Sequence, residues 1–207
     1  MGYVHAGSGG GETTTAAVLA VPGNDAIVDW VLVELRDAGD NTAVVASRSA
    51  LLQRDGDVVA MDGLSSVNMI IGAGSYHVAV RHRNHLGTIT EDTITFASGA
   101  MNVDFTLLST DLFGTQPQKQ VGARRALWAG DVSFDNAVQY TGPGNDRDPI
   151  LVAIGGILPN QVVHGYHRED VDLDGTVKYT GAANDRDRIL VNVGGNTPTN
   201  IREGQLP

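Results

Sequence analysis

A chain of 207 residues with 24 acidic and 14 basic side chains carries a formal charge of -10, which excludes the phosphate backbone of nucleic acid and an anionic membrane as partners, because both would repel it. Cysteine is absent, and disulfides, zinc-thiolate sites and a cysteine nucleophile are excluded with it. The length suits one large domain or two modest ones, each with its own core, and two small modules is the expectation.

The start of the chain, MGYVHAGSGGGETTT, lacks the basic and apolar regions of a signal peptide, and no later run approaches the ~18 apolar residues of a membrane span. Met1 followed by a glycine tract reads as the cut end of a longer protein whose export signal lies upstream. Residues 1–24 are taken as a Gly-rich N-terminal segment. Gly7–Glu12 has the glycines of a phosphate cradle, but neither the following Lys-Ser/Thr nor a preceding strand, so it reads as a flexible linker.

From residue 25 to 110 the pattern is strand, turn, strand. Ala26–Arg36 (AIVDWVLVELR) is apolar on both faces at its centre, as a buried strand is, and places Trp30 in a core; Asp37–Asn41 is a turn. Thr42–Ser47 and Asp57–Met61 follow, the second entered through the hairpin signal Arg54-Asp55-Gly56-Asp57. Tyr76–Arg83 alternates as a half-buried strand does, with Arg81 and Arg83 expected in solvent. This stretch and its continuation, YHVAVRHRNH, hold His77, His82 and His85, but alternation sends them to different faces, against a transition-metal site. Thr88–Phe96 and Met101–Leu107 complete about seven short strands, whose spacing predicts a mainly β fold, an antiparallel Ig-like β-sandwich. Residues 111–130 are polar and Gly-rich and read as a linker, with a short strand or helix near Arg124–Trp128. Trp128 is placed to plug the two modules together.

Beyond this linker the chain repeats itself. Asp131–Gly156 (DVSFDNAVQYTGPGNDRDPILVAIGG) returns 39 positions later as Asp170–Gly195 (DVDLDGTVKYTGAANDRDRILVNVGG), with 16 of 26 positions identical and no gap. Nine of the 11 acidic residues after Gln120 lie inside the two copies. In the second copy Asp170, Asp172 and Asp174 occupy positions one, three and five of a calcium loop, Gly175 the sharp turn at six, and Thr176 the carbonyl-donating position seven. Val177 at position eight is expected to pair across to Val138 of the first copy. Position twelve, where an EF-hand needs a bidentate carboxylate, is Gly181. The loop is therefore expanded, and one of the later acids must close it: Asp187 by preference, or Asp185.

The first copy offers Asp131, Ser133, Asp135 and Ala137 at the same positions, with Asn136 at the turn and Asp146 and Asp148 as the later acids. With one carboxylate fewer it should bind more weakly, so the expectation is two Ca2+ sites, the second stronger. Converging carboxylates repel one another unless a divalent ion offsets them, and the rigid octahedral shell of magnesium suits so long a loop less well. After each loop, Ile150, Leu151 and Ile154 match Ile189, Leu190 and Val193 at helical spacing. Asp148-Pro149 reads as a helix start, and Gly155 and Gly194 as left-handed C-terminal caps. Residues 131–195 thus form a duplicated loop-helix module, with 196–207 as a tail.

This unit resembles the dockerin type I module, on Asp170, Asp172, Asp174, Gly175 and Val177 and on Asp131, Asp135 and Val138 of the first copy. The resemblance implies two calcium loops, each followed by a helix, that dock onto cohesin domains. It covers about 65 residues, with Tyr179-Thr180 and Tyr140-Thr141 where cohesin-binding dockerins often carry Ser-Thr. The whole chain, through GNDAIVDWVLVELRD, SYHVAVRHRNHLG and Gln205-Leu-Pro, also resembles the C-terminal region of large exported bacterial surface proteins of the adhesin or hemagglutinin kind, which implies an extracellular, cell-surface setting.

No nucleophile paired with a base appears, nor two carboxylates across a cleft, so a non-catalytic protein is expected. The leading expectation is a calcium-stabilised structural or assembly module that self-associates, as in a filament, through an open sheet edge. The alternative is a heterotypic binding module for a cohesin-like protein, another surface protein or a glycan.

Overall fold

The computed structural model describes residues 11–97 and 101–207 and divides the chain into two compact units. The first comprises Met1–Arg83, Thr88–Gly114 and Pro207, and the second Asn84–Gly87 and Thr115–Leu206. The glycine tract up to residue 10 lies outside the described residues.

The first unit begins with a single helical turn, α1 (Ala16–Leu19), which the sequence reading did not anticipate. Its N-cap is Thr15, whose side chain accepts from Val18 N at 3.3 Å. Strands β1 (Ile27–Asp37), β2 (Val44–Gln53), β3 (Val58–Val59), β4 (Gly74–His82), β5 (His85–Ile89) and β6 (Ile94–Phe96) follow. They join in one sheet in the order β3-β2-β1-β4-β5, with β6 also on β4. The registered pairs are antiparallel. The mainly β, antiparallel expectation is therefore met, whereas the strands described in this unit make one sheet where the spacing suggested two.

Part of the reason is Met101–Leu107, which forms no strand. Asp104 Oδ1 accepts from both the amide and the hydroxyl of Thr106, at 2.8 and 2.7 Å, a local turn that competes with strand pairing. The centre of the sheet is β1, buried on both faces through Trp30 and Leu32 on one side and Val31 and Leu35 on the other. Its turn is the expected one, with Asp37 Oδ1 accepting from Gly39 N at 2.8 Å.

Acids on β1 also decide where the basic side chains at the end of β4 go. Glu34 is buried against Arg36 Nη2 at 2.7 Å and Arg81 Nε at 3.1 Å, and Asp29 is buried 3.1 Å from both Arg83 Nε and His82 Nε2. Arg83 is therefore not solvated as expected, and Arg81 is only partly so, because a buried carboxylate needs a charged partner.

In the second unit the expected linker carries a hairpin, β7 (Lys119–Val121) and β8 (Arg124–Ala126), the latter meeting the short strand expected near Arg124–Trp128; Gly122, at φ 61°, makes the turn. The repeats follow as β9 (Ala137–Gln139), α2 (Arg147–Ala153) and β10 (Val162–His164), then β11 (Thr176–Lys178), α3 (Asp185–Val193) and β12 (Ile201–Glu203). The helices end as expected. Gly156 N donates to Leu151 O and Gly195 N to Leu190 O, each at 2.8 Å, behind glycines 155 and 194 with positive φ.

Val138 and Val177 do not pair with each other. Val177 lies opposite Val163 of β10, and Val138 opposite Arg202 of β12. Each copy thus lends the strand after its helix to the loop of the other, and a three-residue ladder replaces the expected single bridge. The tail is therefore built into the fold. The exchange is reciprocal in detail: Thr180 Oγ1 donates to Pro159 O at 2.9 Å and Thr141 Oγ1 to Pro198 O at 3.0 Å. Gly165 N likewise donates to Gly175 O, and Gly204 N to Asn136 O.

The core is shared in the same way. Val132 and Val171, Val138 and Val177, Ile150 and Ile189, and Ile154 and Val193 are all buried together, with Leu86 among them. Each such side chain contributes about 1.5–3 kcal/mol by burial. Neither copy can enclose these residues alone.

Candidate metal centre

Two positive-φ residues bend the first six positions of each loop. Leu173 (φ 62°) and Gly175 (φ 83°) do so in the second copy, and Phe134 (φ 64°) and Asn136 (φ 67°) in the first. A left-handed backbone is costly for Phe and Leu, so the surrounding hydrogen bonds must hold it. Asp170 supplies some of them, its Oδ1 accepting from Asp174 N at 3.1 Å and Oδ2 from Gly175 N at 3.0 Å. Asp131 does the same for Asp135 N and Asn136 N, at 3.1 and 3.2 Å.

The result in the second copy is a cluster of carboxylates. Asp170, Asp172 and Asp174 each bring one oxygen within 4.8 Å of the others, a group that could hold a metal ion. Asp172 is the telling member. Its side chain is 6% exposed, and its Oδ1 is buried without a hydrogen-bond partner. A buried carboxylate oxygen with no donor is costly unless a cation takes that place. In the first copy the same position is Ser133, a hydroxyl in place of the carboxylate, which acts on Asp146 through a side-chain hydrogen bond. Oxygen ligands of this kind suit a hard cation such as calcium.

Cations stand near the second cluster. Lys178 Nζ is 3.5 Å from Asp174 Oδ2, and Arg188 Nε is 3.8 Å from Asp172 Oδ2. The first copy has Gln139 and Pro149 at those positions.

The later acids are used differently. Asp185 is fully buried; its Oδ1 accepts from Val171 N and from Asp172 N, the latter at 3.3 Å, and its Oδ2 from Lys178 N at 2.8 Å. Asp146 repeats this with Val132 N, Ser133 N and Gln139 N, at 2.8, 2.9 and 2.7 Å. Each ties the two ends of its loop together. Asp187, the acid preferred for closing the loop, lies in the first turn of α3 and exchanges hydrogen bonds with the N-cap Asn184, at 3.0 and 2.8 Å. Asp148 pairs with Asn145 likewise, at 3.1 and 2.9 Å. The structure thus places neither Asp185 nor Asp187 in the three-carboxylate cluster.

Burial, joined by the charges of Asp146 and Asp135, pushes the Asp131 carboxyl up to about 7. Burial likewise pushes Asp146 and Asp185 up to about 6 each, against backbone hydrogen bonds that pull the other way.

One residue escaped the sequence reading. Asn84 is fully buried; its Nδ2 donates to Arg168 O at 2.7 Å and Asp170 O at 2.8 Å, while its own carbonyl accepts from Gly130 N at 2.8 Å. It holds the start of both loops. Nothing in RHRNHLG signals this, because the contacts join residues 84 and 86 positions apart in the chain.

Of the histidines weighed as metal ligands, His77 Nδ1 bonds to Thr90 O, His82 faces Asp29 and His85 Nδ1 pairs with Asn84 Oδ1. They do not converge. Arg202 and Lys119 lie over the ring of Trp128, at 4.7 and 5.8 Å, and its Nε1 donates to Gln116 O at 3.0 Å. Among the described residues no helix is long and apolar enough to cross a membrane. The chain matches no protein-family model, no curated protein and no solved structure.

Proposed function

We propose that this chain is a non-catalytic, calcium-stabilised structural module of an extracellular bacterial surface protein, with a dockerin-like pair of loops at its C-terminal end. The observation that carries the calcium reading is the buried, unpartnered Oδ1 of Asp172 beside Asp170 and Asp174. Asp170, Asp172, Asp174 and the carbonyl of Thr176 would hold the stronger ion, and Asp131, Ser133, Asp135 and the carbonyl of Ala137 the weaker one. An ion held there would neutralise the converging carboxylates and stabilise the folded second unit by mass action. The surface setting rests on the resemblance of the chain to exported adhesin-like proteins, and self-association into a filament is part of the same reading.

Thermal melting of the purified chain tests it. Calcium at 100 times its Kd should add about 2.7 kcal/mol to the second unit, and the melting temperature should fall when EDTA is added. An unchanged melting temperature refutes the calcium reading.

A second reading, docking to a cohesin-like protein or a glycan, is favoured by Val152 and Val191. These occupy equivalent places on α2 and α3 and are 71% and 57% exposed. Retention of a partner on the immobilised chain with calcium, and its release by EDTA, would favour docking over self-assembly.

A further inference from the structure

We propose that the strand closing the first loop is exchanged between copies of this chain, so that β12 of one molecule seats on β9 of another. This rests on the self-association proposed above, for which it names the segment and the edge that join, and it does not depend on calcium.

The first copy does not hold its own closing strand. Ala137–Gln139 is completed by Ile201–Glu203, and the whole second copy lies between them. The return from α3 to β12 is a seven-residue link, residues 194–200. Gly194 and Gly195 open it with φ of 118° and 63°, and Asn200 N donates to Thr197 O at 3.0 Å. A hinge of this kind redirects the strand without altering the helix before it.

Little apolar surface ties the strand to its place. Ile201 is 45% exposed, Glu203 is exposed, and Leu206 is the buried apolar side chain of the tail. The remaining contacts are polar: the three-residue ladder, Gly204 N on Asn136 O at 2.7 Å, Arg202 Nε on Asn192 O at 3.1 Å and Arg202 Nη1 on Gln116 Oε1 at 2.7 Å. When the strand leaves, β9 is left as an open edge, which is a template for another strand.

The seat is selective. A Cβ at Gly204 would collide with the side chain of Asn136, so the strand must be followed by glycine. Arg202 in turn lies over the ring of Trp128 at 4.7 Å. The equivalent strand of the first copy, β10, has the glycine at Gly165 but Val163 in place of the arginine. Ile201–Gly204 meets both demands, so the partner is a second copy of this chain. An exchanged strand makes the same contacts as a returning one, and chain concentration therefore decides between them.

The chain has no cysteine, and Ala137 and Glu203 lie opposite each other in the ladder, close enough for a disulfide. Ala137→Cys and Glu203→Cys, made as separate full-length variants of which one carries a mass tag, are unfolded, mixed, refolded at rising concentration and oxidised. The expected result on a non-reducing gel is a covalent dimer of the two unlike variants that grows with concentration and exceeds the dimers of like variants. The variant with both substitutions in one chain shows whether the strand is seated, and when dilute it should close within the chain. Closure there without an excess of unlike dimers in the mixture overturns the exchange, and failure to close removes the ladder itself and overturns it too. Light scattering of the unaltered chain separates the two readings. Assemblies without the unlike disulfide refute the exchange and leave self-association standing, whereas monomers at every concentration refute both.

Discussion

Replacing Asp185 by Ala removes the acceptor for three backbone amides, Val171 N, Asp172 N and Lys178 N, from a site with no solvent exposure. Hydrogen bonds to a charged group contribute about 1.5–3 kcal/mol each, and an amide left buried without a partner costs about 1–3 kcal/mol. The gains and losses overlap, water can enter the space left by the carboxylate, and the relieved burial of the charge offsets part of the loss. The expected net loss is about 3–5 kcal/mol, the range for breaking a buried charged interaction from one side.

Asp187→Ala is the control. It removes an exposed helix-start acid bonded to Asn184, a capping interaction of about 1 kcal/mol, and it should leave calcium affinity unchanged. The assay is urea unfolding in EDTA, followed through Trp128 in a Trp30→Phe background so that emission reports on the second unit. A loss at Asp185→Ala no larger than at Asp187→Ala would refute the assignment of Asp185 as the staple of the loop. A large fall in calcium affinity in Asp187→Ala would show instead that this acid closes the cage.

Without calcium, the second unit should be most stable in mild acid. The folded carboxyls of Asp131, Asp146 and Asp185 lie above the usual carboxylate range, so their contribution is complete below about pH 4 and is lost as pH rises through about 6 to 7. Melting in EDTA should therefore occur at a lower temperature at pH 7.5 than at pH 4.5, and a higher temperature at pH 7.5 would contradict the raised values. Arg188→Gln should tighten calcium binding at the second loop, since Arg188 is 59% exposed and its pairing with Asp172 competes with the ion. An exposed pair contributes about 0.2–1 kcal/mol, so the gain is at most about fivefold and should shrink in high salt, as titrations at two ionic strengths would reveal.

The parts of this protein legible in its sequence are those set by neighbours along the chain. Asp170, Asp172, Asp174 and Gly175 announce a loop because a small ring of oxygens can be supplied from alternate positions around one turn. Gly155 and Gly194 announce helix ends because a left-handed backbone suits glycine. The partner of each short strand was not legible. VVH and IRE carry no strand pattern of their own, and they pair because the returning chain passes the other copy's loop. Met101–Leu107 failed in the opposite sense, since its alternation is real but Asp104 spends its hydrogen bonds on Thr106. Asp185 and Asp187 read alike as closing acids, because spacing alone does not distinguish an acid facing an ion from one facing backbone amides.

The exchanged strands also set an order of events in biosynthesis. A chain made from its N-terminus completes Ala137–Gln139 long before Ile201–Glu203 exists to pair with it. The first loop must wait, unpaired, while the second loop, its helix and the final strand emerge, whereas Thr176–Lys178 finds Val162–His164 already made. The copy nearer the N-terminus is therefore the later of the two to mature, because its loop is completed only by a strand that follows the whole of the other copy.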